Sequence, residues 1–235
     1  MNTKYLKYAI GEIFLVVIGI LIALAINQSI EKRKSEVLAR DYLESLYREL
    51  QLDSTFFEKA ERDLLITQNA ARRLAEIIES SKPIVQDSVA FIEDLRVSIN
   101  LTQELPEPVV WKEIQNTGNL NLIKNRSLIE QLYTYYNEVE NCQEDYDENV
   151  LPFVLRGRYL DSKIFSVAEQ DDLFDNYRLD GKVRDIVYQE LVLSEEFDQI
   201  VHGLVSGSIV GVINLRRVKH SLGALLTSIR NEIKK

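Results

Sequence analysis

The sequence predicts an all-α protein: an N-terminal transmembrane helix continuing into a long helix, plus an antiparallel helical bundle with coiled-coil-like stripes. Three observations carry that prediction. The 235 residues include only 9 Gly and 4 Pro, too few for the turns of a β-rich fold. One long apolar run lies near the N-terminus. Apolar residues then recur at 3-4 spacing through most of the remainder.

Residues 9–26 are apolar except for Glu12. About 18 residues make roughly 27 Å of helix, just enough to cross a bilayer core. A buried helix of a soluble protein rarely stays apolar on every face for so long. Ala23 and Ala25 form an A-x-A-like pattern of the kind found at signal-peptide cleavage sites. The run is long for a signal peptide, however, and leads directly into a charged helix. Residues 1–29 are therefore read as an anchor in the lipid bilayer and residues 30–235 as a helical-bundle domain.

At 100° per residue, Glu12, Gly19 and Ala23 share one narrow arc of the anchor. Gly19 and Ala23 form a small-xxx-small pair, which lets two helices approach closely in lipid. That stripe is a candidate interface for a partner helix or for self-association. A second reading makes Glu12 a marker of the membrane boundary, its carboxylate snorkelling to the headgroups. Both stand at this point. Lys4 and Lys7 flank one side, and Lys32, Arg33, Lys34 and Arg40 the other, so the local count leans towards a cytoplasmic C-terminal side.

Leu43, Leu46, Leu50, Phe57, Ala60, Leu64, Ala71, Leu74 and Ile78 continue the pattern, with Asp53 and Thr67 as polar interruptions. No Gly or Pro occurs between Asn27 and Pro83, so the anchor is expected to run on as a rod. A second helix starts at Asp87 or Ser88, with Val89, Ile92, Leu95 and Ile99 on one face. "VVWKEIQNTG" reads as a short helix closed by Gly118, and Asn125 can cap the next one. That helix carries Leu128, Leu132, Tyr136, Val139 and Tyr146, and Leu151-Pro152 ends or bends it. "RLDGKVRD" is a turn. The last helix opens at Ser194 and lines up Phe197, Val201, Leu204, Leu215, Val218, Leu222, Leu225 and Ile229. Within it Gly203, Gly207 and Gly211 recur every fourth residue. Each would cost roughly 1 kcal/mol in an exposed helix, so a closely packed neighbour is expected there, a second candidate interface.

Two segments resemble a family of uncharacterised bacterial single-span membrane proteins, a domain of unknown function. "KYLKYAIGEIFLVVIGILIALAINQSIEKRK" is similar to the family's Y-A-I-G-E-I opening, its L-V-V-I-G-I-L-I-A-L run and its polar exit. "WKEIQNTGNLNLIKNRSLIEQLYTYY" is similar to its central segment, a short helix, a Gly turn and a tyrosine-bearing helix. Together they cover about a quarter of the chain. Ala25 and Gln28 depart from an exit usually richer in Asn and Trp, and most of the family's basic N-terminal tail is missing. The resemblance implies an architecture and no activity. It also implies a single-pass inner-membrane protein with a cytoplasmic N-terminus and an extracytoplasmic domain.

The net charge of −9 disfavours nucleic acid as a partner. The lone Cys142 excludes an intramolecular disulfide, and two histidines are too few for a His-rich metal site. No P-loop, G-x-G-x-x-G, H-E-x-x-H, G-x-S-x-G or C-x-x-C pattern occurs. In "NEVENCQEDYDEN", Glu140, Glu144 and Asp147 or Glu148 share a helix side; a solvated face accounts for them better than a bound cation. His202 is read as a satisfied core histidine, Cys142 as a packing residue, and Arg62, Arg72 and Arg73 as surface ion-pair partners. Tyr133, Tyr135 and Tyr136 could line a ligand cleft, and Trp111, Tyr133 and Tyr136 mark the candidate pocket, although aromatics at helical spacing are more often core. No cofactor or metal is expected. Three function classes follow: a non-enzymatic interaction, scaffold or sensory module; an accessory subunit of an ion-driven or transport assembly that uses Glu12; and an enzyme with carboxylate-bound metal. The first fits best.

Overall fold

A computed structural model describes residues 3–101, 105–164 and 185–234. They form seven α-helices and no strand. Helix α1, Thr3–Ile78, is unbroken. Its 76 residues span about 114 Å at 1.5 Å per residue. It stops at the Ser80–Pro83 stretch, where proline removes a donor and bars further helix.

From Phe14 to Leu38 every residue of α1 is exposed to its surroundings, and the first buried one is Tyr42. The apolar window has a mean hydropathy of 2.1 and none of it is buried by the rest of the chain. Among the described residues this is the one helix long and apolar enough to cross a membrane. Past a short neck the same helix becomes the spine of the bundle, with Leu46, Leu50, Phe57, Ala71 and Leu74 fully buried.

Local signals set the other boundaries. The Asp87 side chain accepts from the Val89 and Ala90 amides and starts α2, Ser88–Ile99. Helix α3, Val109–Asn116, closes at Gly118, whose φ of +70° suits a residue without Cβ. A 3₁₀ turn, Asn119–Leu122, leads to Asn125, which caps α4, Arg126–Asn149. Helix α4 breaks at Val150, and α5, Leu151–Ile164, carries Pro152 in its first turn, where a missing N–H costs nothing. Helix α6 is Asp185–Val192. Helix α7, Glu195–Ile233, is capped by Ser194 and has Glu195, Glu196 and Asp198 in its first turn. The expected turn over residues 178–185 lies outside the described residues except for Asp185, which opens α6.

Helix α7 runs antiparallel along α1. His202 of α7 meets Glu79 at the end far from the anchor; Arg216 and Lys219 clasp Glu61 midway, at 2.6 and 2.8 Å. Helix α4 is antiparallel to α7: Asn125 reaches Glu232, Ser221 reaches Glu138, and Asn214 reaches Asp145. Helix α2 folds back along the far end of α1, where the Arg73 guanidinium grips both oxygens of Asp94. Helix α5 closes that end, with Arg96 of α2 on Asp161 and Arg158 donating to the Ile99 carbonyl.

Gly203, Gly207 and Gly211 are consumed inside this bundle. A Cβ on Gly203 would collide with the Phe153 ring of α5, and one on Gly211 would lie 2.9 Å from Leu64 of α1. At Gly207 it would lie 2.8 Å from Val150 and 3.2 Å from the Asn149 carbonyl oxygen, neither of which can swing away. Gly207→Ala is therefore expected to cost about 1–3 kcal/mol, overpacking outweighing the gain in helix propensity. Gly223, with nothing within 4 Å of the same probe position, is the control. Gly223→Ala is expected to stabilise by up to ~1 kcal/mol in the same chemical denaturation experiment.

Candidate functional site

Helix α3 is pinned between α1 and α4, and the pin is polar. Its N-cap, Pro108, supplies no side-chain acceptor for the unpaired amides of the first turn. Glu49 of α1 does so from outside, its Oε2 accepting from the Val110 amide at 2.8 Å. The carboxylate also meets the positive end of the helix. Its Oε1 accepts from the Tyr136 hydroxyl of α4 at 3.1 Å. One turn along α1, Asp53 Oδ2 accepts from the Tyr135 hydroxyl at 2.7 Å.

Asp53 is only 6% exposed. Burial pushes its carboxyl up to about 6; the Tyr135 bond opposes that rise and the charge of Glu49 adds to it. Burial first, and the two carboxylates next, hold the Tyr135 and Tyr136 phenols above their ordinary range, so both stay protonated donors.

The three expected pocket residues come together here. Trp111 stacks on Tyr136 with centroids 5.3 Å apart and planes 10° apart, and meets Tyr133 edge-on at 5.0 Å. Tyr135 packs edge-on against Tyr136 at 4.9 Å. Trp111 is buried, and the rings occupy one another's space. The arrangement is a hydrogen-bonded aromatic lock joining α1, α3 and α4, with one proton-dependent carboxyl at its centre.

Sequence reasoning missed the two carboxylates, Asp53 and Glu49. Asp53 passed for an interruption of the stripe, and the same 3-4 spacing that buries Leu50 and Phe57 buries it too. Thr67, the other interruption, is buried likewise. Tyr135, not Tyr136, is the most deeply buried tyrosine of α4. Glu49 gave no signal, because its role depends on a helix 61 positions away.

Comparison with protein-family models, curated proteins and solved structures gave no match. The geometry therefore carries the reading.

Glu12, Gly19 and Ala23 lie elsewhere, on the exposed part of α1. A Cβ on Gly19 would meet nothing within 4 Å. At 100° per residue their arc continues through Ile30 and Val37, exposed at 49% and 55%, to Leu52 and Ile66. It is the side of α1 opposite Leu46, Leu50 and Phe57. The stripe thus points away from the chain's own bundle, whereas the glycines of α7 point into it.

His202 corrects the sequence reading: it is exposed rather than core. It bridges Glu79 Oε1 at 2.9 Å and the Asp198 carbonyl at 3.0 Å, and those bonds raise its pKa. The apolar stripe misled because His202 sits at its rim, where the end of α1 brings a carboxylate. Cys142 is buried among packing residues. Among the described residues no group of three or more His, Cys, Asp or Glu side chains is placed to hold a metal ion.

Proposed function

We propose that the chain is a membrane-tethered helical-bundle module that binds a partner, as a scaffold or sensor, rather than turning over a substrate. One observation carries this: a single helix serves both as the uncovered apolar segment and as the buried spine of the bundle. A displacement or rotation of the anchor is thereby passed to the bundle without an intervening loop. The resemblance to the uncharacterised single-span family supports the same reading. On that resemblance the anchor lies in the inner membrane with its N-terminus cytoplasmic and the bundle outside, although the basic flank after the anchor pulls the other way. Because Cys142 is buried, it is a silent background for labelling. An exposed thiol introduced as Glu130→Cys should react with a membrane-impermeant reagent on intact spheroplasts, and protection until lysis would reverse the orientation.

A second reading is favoured by Glu12 itself. A carboxylate stands on the outward stripe with Gly19 and Ala23, and it is exposed. It suits a helix–helix contact, with a second copy or with a subunit of a transport assembly. A photoreactive residue at Ala23 should give one discrete adduct in native membranes, and Glu12→Gln should reduce its yield severalfold. A monomer-only pattern, or an unchanged yield, would remove Glu12 from any interface.

A further inference from the structure

We propose that the anchor-proximal base of the bundle is a docking surface for anionic lipid headgroups, assembled from three separate stretches of chain. The inference rests on the reading of residues 9–26 as a bilayer span.

An open groove of about 840 Å³ runs between the neck of α1, residues 121–124 and the end of α7. Its rim is basic. The neck supplies Lys32, Arg33 and Arg40 and the turn supplies Lys124 to its lining; Lys34, Arg126, Arg230 and Lys234 are exposed at adjoining positions of the neck, α4 and the end of α7. Within residues 31–40, 121–126 and 230–234 these eight cations face three carboxylates, Glu31, Glu36 and Glu232. The whole chain has 28 basic and 37 acidic side chains, which leaves 20 and 34 elsewhere. An acidic protein has therefore gathered a positive surface at one end. Ion pairs blunt it only in part. Glu36 is shared by Lys32 at 3.9 Å and Lys124 at 3.6 Å, Glu31 holds Lys34 at 3.0 Å, and Glu44, one turn further along α1, holds Arg40 at 3.1 Å.

Position selects the partner. Residues 32–40 follow Ile26 by about 9–21 Å of helix. A headgroup layer is roughly 5–7 Å thick, and the screening length at physiological salt is about 8 Å. The lower rim thus lies in or beside the headgroups, the level of Glu36 and Lys124 lies about one screening length beyond them, and Arg40 stands outside their field. Fixed basic side chains at that depth attract anionic lipid, and an acidic bundle without them would be repelled.

The test uses the full-length protein reconstituted in phosphatidylcholine vesicles, with and without about 30 mol % phosphatidylglycerol, and spin-labelled versions of both lipids as probes. The motionally restricted fraction should favour phosphatidylglycerol about threefold at low salt and approach parity in about 0.5 M salt. The combined variant Lys124→Gln, Arg126→Gln, Arg230→Gln, Lys234→Gln should lose most of that preference with its helical circular dichroism intact. Should it misfold, Arg230→Gln with Lys234→Gln should show a partial loss. No preference in the wild-type protein would overturn the proposal, as would a preference that survives these variants and depends on Lys32 and Lys34 alone. Failure to float with neutral vesicles would overturn the spanning reading itself and this surface with it.

Discussion

Asp53→Asn is expected to stabilise the full-length protein at pH 7.5 by about 1–3 kcal/mol and to leave it unchanged near pH 4. The sign follows from the direction of the shift. The folded carboxyl titrates at about 6 against an ordinary value of 3.8, so between those limits the folded state holds the proton more tightly. Stability of the wild-type protein therefore falls as pH rises from about 4 to about 6, then stays level. A shift of roughly two units corresponds to a penalty of about 3 kcal/mol at most. Asparagine keeps an oxygen for the Tyr135 hydroxyl, carries no charge to bury, and is not opposed by Glu49. Tyr135→Phe does the reverse. It leaves the buried carboxylate without its donor and is expected to cost about 2–3 kcal/mol at pH 7.5, and less at pH 4. Thermal melts across this pH range in detergent decide the matter; an Asp53→Asn advantage that does not depend on pH would show that charge burial is not the cause.

Trp111→Ala should cost about 3–5 kcal/mol, the range for removing a large buried aromatic. The ring is 4% exposed and lies against both Tyr133 and Tyr136. Helix α3 has eight residues, too few to hold itself without tertiary contacts, so its loss should accompany the lost packing. Trp111 is also the only tryptophan of the chain, so its emission reports on this junction alone. In the wild-type protein the fluorescence change on denaturation should coincide with loss of helical circular dichroism. Early unfolding by fluorescence would mean that the junction opens on its own and does not hold α3 to the bundle.

Helix boundaries were legible because they are local. Asp87, Asn125 and Ser194 each cap the helix expected of them, and Gly118 adopts the left-handed conformation that ends α3. The spine was legible from spacing alone. The lock was not, because its bonds join residues 61 to 87 positions apart, and one helix face does not say which polar group waits opposite. The aromatic members were visible as a cluster because three tyrosines stand within four residues of α4. Their carboxylate partners were not, since an acid within an apolar stripe reads first as a defect. His202 failed for the related reason that its partner comes from the far end of another helix.

The unbroken helix between Asn27 and Ile78 has one more consequence, concerning angular phase. With no joint to absorb a change, each residue inserted in the neck turns the stripe of Glu12, Gly19 and Ala23 by about 100° against the bundle and lifts it 1.5 Å. Seven residues turn it back to within about 20°. The length of the neck is thus a setting, like the angle between a key's teeth and its bow, and it fixes which way the Glu12 stripe faces relative to the bundle.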